Sequence, residues 1–411
     1  MLNKQYLSLE KALELLLFYI SFRCLPPENI PIEESYGRIV YEDIISPEDL
    51  PGFDKSTVDG FAVRAEDTFG AKEGMPVYLT VKGEVQMGEI PNFSLNSGEC
   101  ASISTGGMLP EGANAVIMIE HVNIIDENLI EILKPVSPGE NVIFKDEDIK
   151  KGEVVFKAGH KLRPQDVGAL AGLGITEIKV VKKPKVAIIL TGDEIVPHNE
   201  KVTPGKVRDI NSFTLKGLIK EHGGTPIKIG IVKDEYSAIK KATEKALNIS
   251  DIVLITGGTS AGVKDLTMEI INESGHPGVI FHGVSMKPGK PIIAGVCNGK
   301  PVFGLPGHPV AVYICFKLFV KPVIEKMLGI TQQEYKKVIR AKIERSLHSQ
   351  AGRTDYIRVY LKEKNGELWA IPLLSKSGLI MSLAKADGII IIPSELLGIE
   401  KGEMVEVELI S

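Results

Sequence analysis

The segment Ile255 to Asp265 reads ITGGTSAGVKD: three glycines, three hydroxyls, no large side chain until Val263, and a closing carboxylate. Gly257, Gly258 and Gly262 permit positive φ and close approach, and amides at a following helix N-terminus favour an anion. Thr256, Thr259 and Ser260 add hydroxyl donors. The same composition suits a turn that merely needs flexibility, and the segment matches neither GxGxxG nor a P-loop. Two readings stand side by side: a plain turn, or an anion cradle with an acid placed to hold a metal.

Other stretches carry the same kind of residues. TGDE spans Thr191 to Glu194, Lys233 is followed by Asp234, and PGHP spans Pro306 to Pro309. Taken singly, Glu194, Asp234 and Asp265 read as solvated loop acids. Together beside a glycine cradle they repel one another unless a cation sits between them, and oxygen-only ligation points to Mg²⁺, with Glu194 and Asp265 as its expected ligands. MKPGKP, Met286 to Pro291, offers Lys287 and Lys290 in a stiff Pro-Gly loop suited to oxyanion charge; otherwise these are surface lysines. Asp54 and Asp59 in PGFDKSTVDGFAV, Thr105 in STGGMLPEG and Asp148 in KDEDIKKGE read, in isolation, as turn chemistry.

The elements that must position these residues follow from periodicity. Residues 8 to 22 read as a helix starting at Ser8. From Pro51 to about residue 149, short β-type runs such as VYLTVKGEV and AVIMIEHV alternate with Gly, Pro and Asn turns, which predicts a small inserted β domain. Residues 1–50 and 150–181 flank it and form a mixed N-terminal domain. Residues 182–330 alternate strands (KVAIIL, PIKIGIV, DIVLI, PVFGL) with helices, which predicts a central, mostly parallel, doubly wound α/β sheet whose ligands sit at the carboxyl ends of its strands. Residues 331–411 return to β-type runs and form a C-terminal β domain. The expected class is therefore multidomain α/β plus β.

Composition narrows the function. The chain has 411 residues and a net charge of -5, so it carries no basic footprint for nucleic acid. Cys24, Cys100, Cys297 and Cys315 are scattered without metal-ligand spacing, as in a reduced, cytoplasmic protein. The apolar run of the N-terminus contains acids and reads as a helix rather than a signal peptide, and PVAVYICFKLFVKPVIEKML is interrupted by Lys317 and Lys321, so no membrane span is expected.

PGFDKSTVDGFAV, STGGMLPEGANAVIMIE, DEDIKKGEVVFKAG, LTGDEIV, RDINSFTL, ITGGTSAGVKD, MKPGKP, GLPGHPVA and GRTDYIRVYL, followed by SKSGLIMSLAKADGIIIIP, occur in one order along the chain. In that order they resemble the molybdopterin molybdenumtransferase family, which includes MoeA and the E domain of gephyrin. The resemblance implies a four-domain homodimer with a C-terminal barrel-like β domain and an active cleft shared between subunits. It implies insertion of molybdenum from molybdate into adenylated molybdopterin with release of AMP, assisted by Mg²⁺; tungstate, an oxyanion of nearly the same size and charge, is the alternative donor. By the same resemblance Asp59, Asp148, Glu194, Asp234 and Asp265 act in catalysis. The resemblance implies that Thr105, Lys287, Lys290, Pro306, Pro309 and Ser382 hold the substrate, and the cradle reading adds Thr191, Gly257, Gly258, Thr259, Ser260 and Gly262.

Val58 and Phe61 stand where the family usually has Met and Tyr, and His308 where it often has Asn or Tyr; His308 reads as a surface residue at a helix N-terminus. Partners expected from the family are the upstream adenylyltransferase and molybdoenzyme acceptors. Two rival readings are a molybdopterin adenylyltransferase, which would need neither the inserted nor the C-terminal β domain, and a scaffold of the gephyrin type, which would not need the acids.

Overall fold

The computed structural model describes residues 6–20, 24–257, 261–331 and 337–410. Gly258, Thr259 and Ser260 lie outside them, and Gly262 lies in the first turn of the helix Ala261–Glu273.

The central unit is a six-stranded sheet. Its order is Thr225–Val232, Lys185–Thr191, Ile252–Gly257, Lys300–Leu305, Ile293–Cys297, Pro277–His282. The first four strands are parallel; Ile293–Cys297 is antiparallel to both its neighbours, so Pro277–His282 points the same way as the parallel four. Strands buried on both faces are continuous apolar runs, as in Val186 to Leu190 and Ile252 to Ile255, because helices cover each side. One face packs Ala187, Ile189, Val253 and Ile255 against the helices Tyr236–Ile249 and Ala261–Glu273. The other packs Ile188, Leu190 and Leu254 against Asn211–Glu221 and the long C-terminal helix. That helix is α-helical over Pro309–Cys315 and Lys321–Met327, with a π-helical segment Phe316–Val320 between.

The first helix, Leu9–Tyr19, starts at Ser8, whose hydroxyl accepts from the Lys11 amide at 3.3 Å. Its buried residues Ala12 and Leu16, with Ile20, join the α/β core beside Phe281 and Phe319. The remaining N-terminal flanks pair with each other: Pro27–Pro31 runs antiparallel to Glu177–Val181, and Ile44–Ile45 to Val154–Phe156. Between the flanks lies a six-stranded sheet drawn from residues 60 to 132, with its own core around Phe61, Leu79, Ile117 and Ile130.

At the C-terminus, Val338–Ile343, Thr354–Lys364, Glu367–Pro372, Gly388–Ile392 and Met404–Leu409 close into a five-stranded barrel, since Thr354–Lys364 pairs with both Glu367–Pro372 and Gly388–Ile392. Met286–Lys287, from the α/β unit, adds in parallel to that barrel at Thr354 and Asp355. A loop of one unit thus becomes an edge strand of the next.

Candidate active site

The strand directions set the geometry. The carboxyl ends of five strands lie along one edge of the central sheet: Val232, Thr191, Gly257, Leu305 and His282. Each leads into one of the chemically suggestive stretches, so Asp234, Glu194, Gly257, PGHP and MKPGKP share that edge.

Two of these ends touch through bare backbone. A Cβ on Gly257, at φ +127°, would stand 1.7 Å from the Thr191 carbonyl oxygen. Glycine is required there for close approach of two strands, whatever the following loop binds. Asn211 fastens the next pair. Its Nδ2 donates to the Gly307 carbonyl at 2.8 Å and to Thr256 Oγ1 at 3.2 Å. Asp209, buried beneath it, accepts from the Ser212 amide and hydroxyl and from Lys228 Nζ, and so fixes the start of the helix that carries Asn211.

At the other end of the edge three carboxylates converge. The Asp234 amide donates to Asp193 Oδ1 at 3.4 Å, and Asp234 Oδ1 is buried without a hydrogen-bond partner among the described residues. Burial first, then the negative charges of Asp193 and Glu194, push the Asp234 carboxyl above its ordinary pKa, against a hydrogen bond from Thr191. Uncompensated charge with carboxylate and hydroxyl oxygens is the donor chemistry that suits Mg²⁺. Among the described residues, however, no three acids, cysteines or histidines are already arranged as a metal-binding set. Asp265 is exposed on the helix Ala261–Glu273.

The MKPGKP loop and the barrel enclose a cavity of about 1120 Å³. Its walls include Lys287, Lys290, His308, Arg353, Arg358 and Lys376. Arg353 is paired with Asp355, at 2.6 and 2.9 Å. Among the described residues Arg358 has no carboxylate partner: it is 6 % exposed, its Nη2 donates to the Leu373 and Ser375 carbonyls and the Ser375 hydroxyl, and its Nε meets no acceptor. Burial alone pulls its pKa down. Neither Lys287, Lys290, Lys376 nor Arg358 meets a carboxylate among the described residues. A buried cation without a counter-charge is costly, and a bound anion removes that cost.

Pro306 lies on the same wall, and Pro309 opens the next helix behind it. His308 is more than a solvated helix start. Its Nδ1 is 2.9 Å from Ser377 Oγ, and the Val310 amide donates to the Ser377 carbonyl, so it joins the α/β unit to the barrel across the cavity. Ser382 is buried, and its hydroxyl donates to the Leu379 carbonyl at 2.6 Å, in an adjoining cavity of about 690 Å³.

Asp59 and Thr105 form a separate pair on the inserted domain. Asp59 Oδ1 accepts from the Thr105 amide at 2.7 Å and hydroxyl at 2.9 Å, and these bonds hold its carboxyl below the ordinary range. Asp148 is exposed beside the domain neck, its amide donating to Leu50. Within one chain, no described hydrogen bond or ion pair joins Asp59 or Asp148 to the sheet-edge acids.

Comparison with known proteins follows this division into units. A model described as the MoeA N-terminal region (domain I and II) matches residues 7–174, one described as a probable molybdopterin binding domain matches 187–326, and the MoeA C-terminal region (domain IV) matches 340–410. A protein of Methanocaldococcus jannaschii assigned to molybdopterin biosynthesis is 40% identical over 392 residues, covering 93% of this chain and 92% of its own. The chain belongs to the MoeA family. A second relative, the molybdopterin molybdenumtransferase of Bacillus subtilis, is 34% identical over 387 residues, 93% of this chain and 90% of its own. The crystal structure of a MoeA protein from Pyrococcus horikoshii OT3 superposes with a TM-score of 0.84 at 39% identity, covering 98% of this chain and 100% of that one. The multidomain α/β plus β architecture is that of the MoeA family, and the chain's place is in molybdenum cofactor biosynthesis.

Sequence reasoning overlooked Arg358, Ser377 and Tyr6, all on the cavity wall. The signal for Arg358 was present: an arginine inside the apolar strand YIRVYL is out of place unless it is held for a ligand or a partner.

Proposed function

We propose that this chain transfers molybdenum from molybdate to adenylated molybdopterin and releases AMP. One observation carries the reading: four cations without carboxylate partners among the described residues, one of them the buried Arg358, face a cavity on the same sheet edge as three crowded acids. The cations suit a tetrahedral oxyanion. The acids suit a divalent cation on a phosphoanhydride. The transferase name of the Bacillus subtilis relative supports the assignment.

In this reading Lys287, Lys290 and Arg358 bind the oxyanion, and the Gly257 loop with the following helix N-terminus receives the phosphates. Glu194 and Asp234, with Asp265 from the helix Ala261–Glu273, would hold Mg²⁺. When bound, that ion supplies charge neutralisation at the phosphoanhydride. The chain's own part is placement and electrostatics: Asn211 keeps the two substrate loops in register, and the lysines stabilise negative charge as the anhydride opens. In a homodimer, the inserted domain of one subunit would bring Asp59, Thr105 and Asp148 to the edge of the other. Docking of the upstream adenylyltransferase or of an apo-molybdoenzyme would then shorten the path of a labile pterin.

Titration of molybdate into the wild type and into Lys287→Met tests the oxyanion site. Affinity should fall at least tenfold in the variant, with tungstate in the wild type within an order of magnitude of molybdate. Equal affinity for wild type and variant would remove the cavity from the mechanism.

A further inference from the structure

We propose that Tyr6 is a positioning residue for Lys290, holding its ammonium at the mouth of the oxyanion cavity through the face of the aromatic ring. The inference rests on the oxyanion reading of that cavity and adds to it a residue from outside the α/β unit.

Lys290 Nζ lies 4.1 Å from the centroid of the Tyr6 ring, inside the range in which an ammonium is attracted to a π face. Both residues line the cavity. Lys290 needs such a constraint. Its four-carbon stem has many rotamers, and Lys287, three residues away, puts a second positive charge on the same loop. No carboxylate among the described residues takes Lys290 away from the cavity. An aromatic face attracts the ammonium without neutralising it, so the full charge stays available to an anion.

The backbone that carries the ring is held to the loop. Leu7 forms a bridge to Val284, and the Ser285 amide donates to the Leu7 carbonyl at 2.9 Å. The Val284 amide in turn donates to the Lys290 carbonyl at 3.0 Å, so the segment carrying Tyr6 is stitched to the loop carrying Lys290. Gly283, at φ +87°, makes room: a Cβ there would stand 2.4 Å from a Tyr6 ring carbon. Behind Tyr6, the helix Leu9–Tyr19 is anchored in the α/β core by Ala12 and Leu16. The first helix therefore has a role in the site as well as in packing.

Two measurements on the full chain test this. In calorimetric titrations with molybdate, Tyr6→Leu should bind at least fivefold more weakly than wild type, and Tyr6→Phe, which keeps the ring, should return to within twofold. In a Lys290→Met background, Tyr6→Leu should change affinity by less than twofold. A Tyr6→Leu protein that binds like wild type, or a full fivefold loss that persists without Lys290, overturns the proposal. The second measurement needs no ligand: the Lys290 ε-methylene protons should show an upfield ring-current shift in wild type and Tyr6→Phe that vanishes in Tyr6→Leu. If molybdate does not bind even to wild type, the oxyanion reading fails, and the ring-current shift still decides whether Tyr6 holds Lys290.

Discussion

Asn211 donates from one amide nitrogen to the Gly307 carbonyl at 2.8 Å and to Thr256 Oγ1 at 3.2 Å, joining the ends of two adjacent strands of the central sheet. Because the Gly307 carbonyl only accepts, the orientation of the amide is fixed. Among the described residues its Oδ1 is buried without a partner. Through its donated bonds the side chain keeps PGHP and Thr256 together.

Asn211→Ala would leave the Gly307 carbonyl without this donor. A loss of roughly 1–3 kcal/mol in urea unfolding is expected, the range for orphaned buried polar groups. Asn211→Asp should be worse, since it sets a carboxylate against a carbonyl oxygen. An unchanged unfolding midpoint in both variants would remove the clamp.

Asp234→Asn should stabilise the metal-free protein at neutral pH. A carboxyl whose folded pKa is raised takes up protons more readily in the folded state, so the penalty for its charge appears as pH rises from the unfolded to the folded pKa and persists above it. The variant's advantage should therefore shrink as pH falls from the raised pKa towards the ordinary carboxylate value, and vanish below it. Millimolar Mg²⁺ should raise the thermal midpoint of the wild type more than that of the variant. A variant less stable than wild type at pH 7 without Mg²⁺ would show that Asp234 is a structural acid.

Asp166 behaves in the opposite sense. Burial works against its charge, but the Arg163 side chain and amide, with His160, hold its pKa at about 2. Its contribution of ~2 kcal/mol is present above the unfolded carboxylate pKa and lost as pH falls through that window. Asp166→Asn should lower stability at pH 7, with the difference from wild type fading below pH 4. A pH-independent difference would assign the loss to packing.

Gly257→Ala drives a methyl group into the Thr191 carbonyl at a φ of +127°. A penalty on the order of 3 kcal/mol or more is expected. Gly217→Ala is the control. That glycine is exposed in the helix Asn211–Glu221, with nothing within 4 Å of the new methyl, and should gain up to about 1 kcal/mol. Equal thermal midpoints for the two variants would refute the close-approach account of Gly257.

Much of this was legible in the residues themselves. The runs KVAIIL, DIVLI and PVFGL are parallel strands at the positions their apolar continuity predicted, and their carboxyl ends lie on one edge as the strand-end rule requires. The cavity was not legible. It is made where Met286–Lys287 pairs with Thr354–Asp355, a contact of strands far apart in sequence that no local pattern encodes. The first helix was visible from its period, but periodicity gives a buried face without naming what covers it; the α/β core does. The pairing of Asp59 with Thr105 likewise depends on Gly60–Val63 lying beside Glu99–Ile103.

The central claim is tested most directly by mixing the chain with adenylated molybdopterin, Mg²⁺ and molybdate, and following AMP and pterin-bound molybdenum together. The account predicts that both appear in equal amounts, that neither appears without an oxyanion, and that Lys287→Met slows both at least tenfold. AMP release that ignores molybdate, or a chain that instead consumes ATP to make the adenylated pterin, would contradict it.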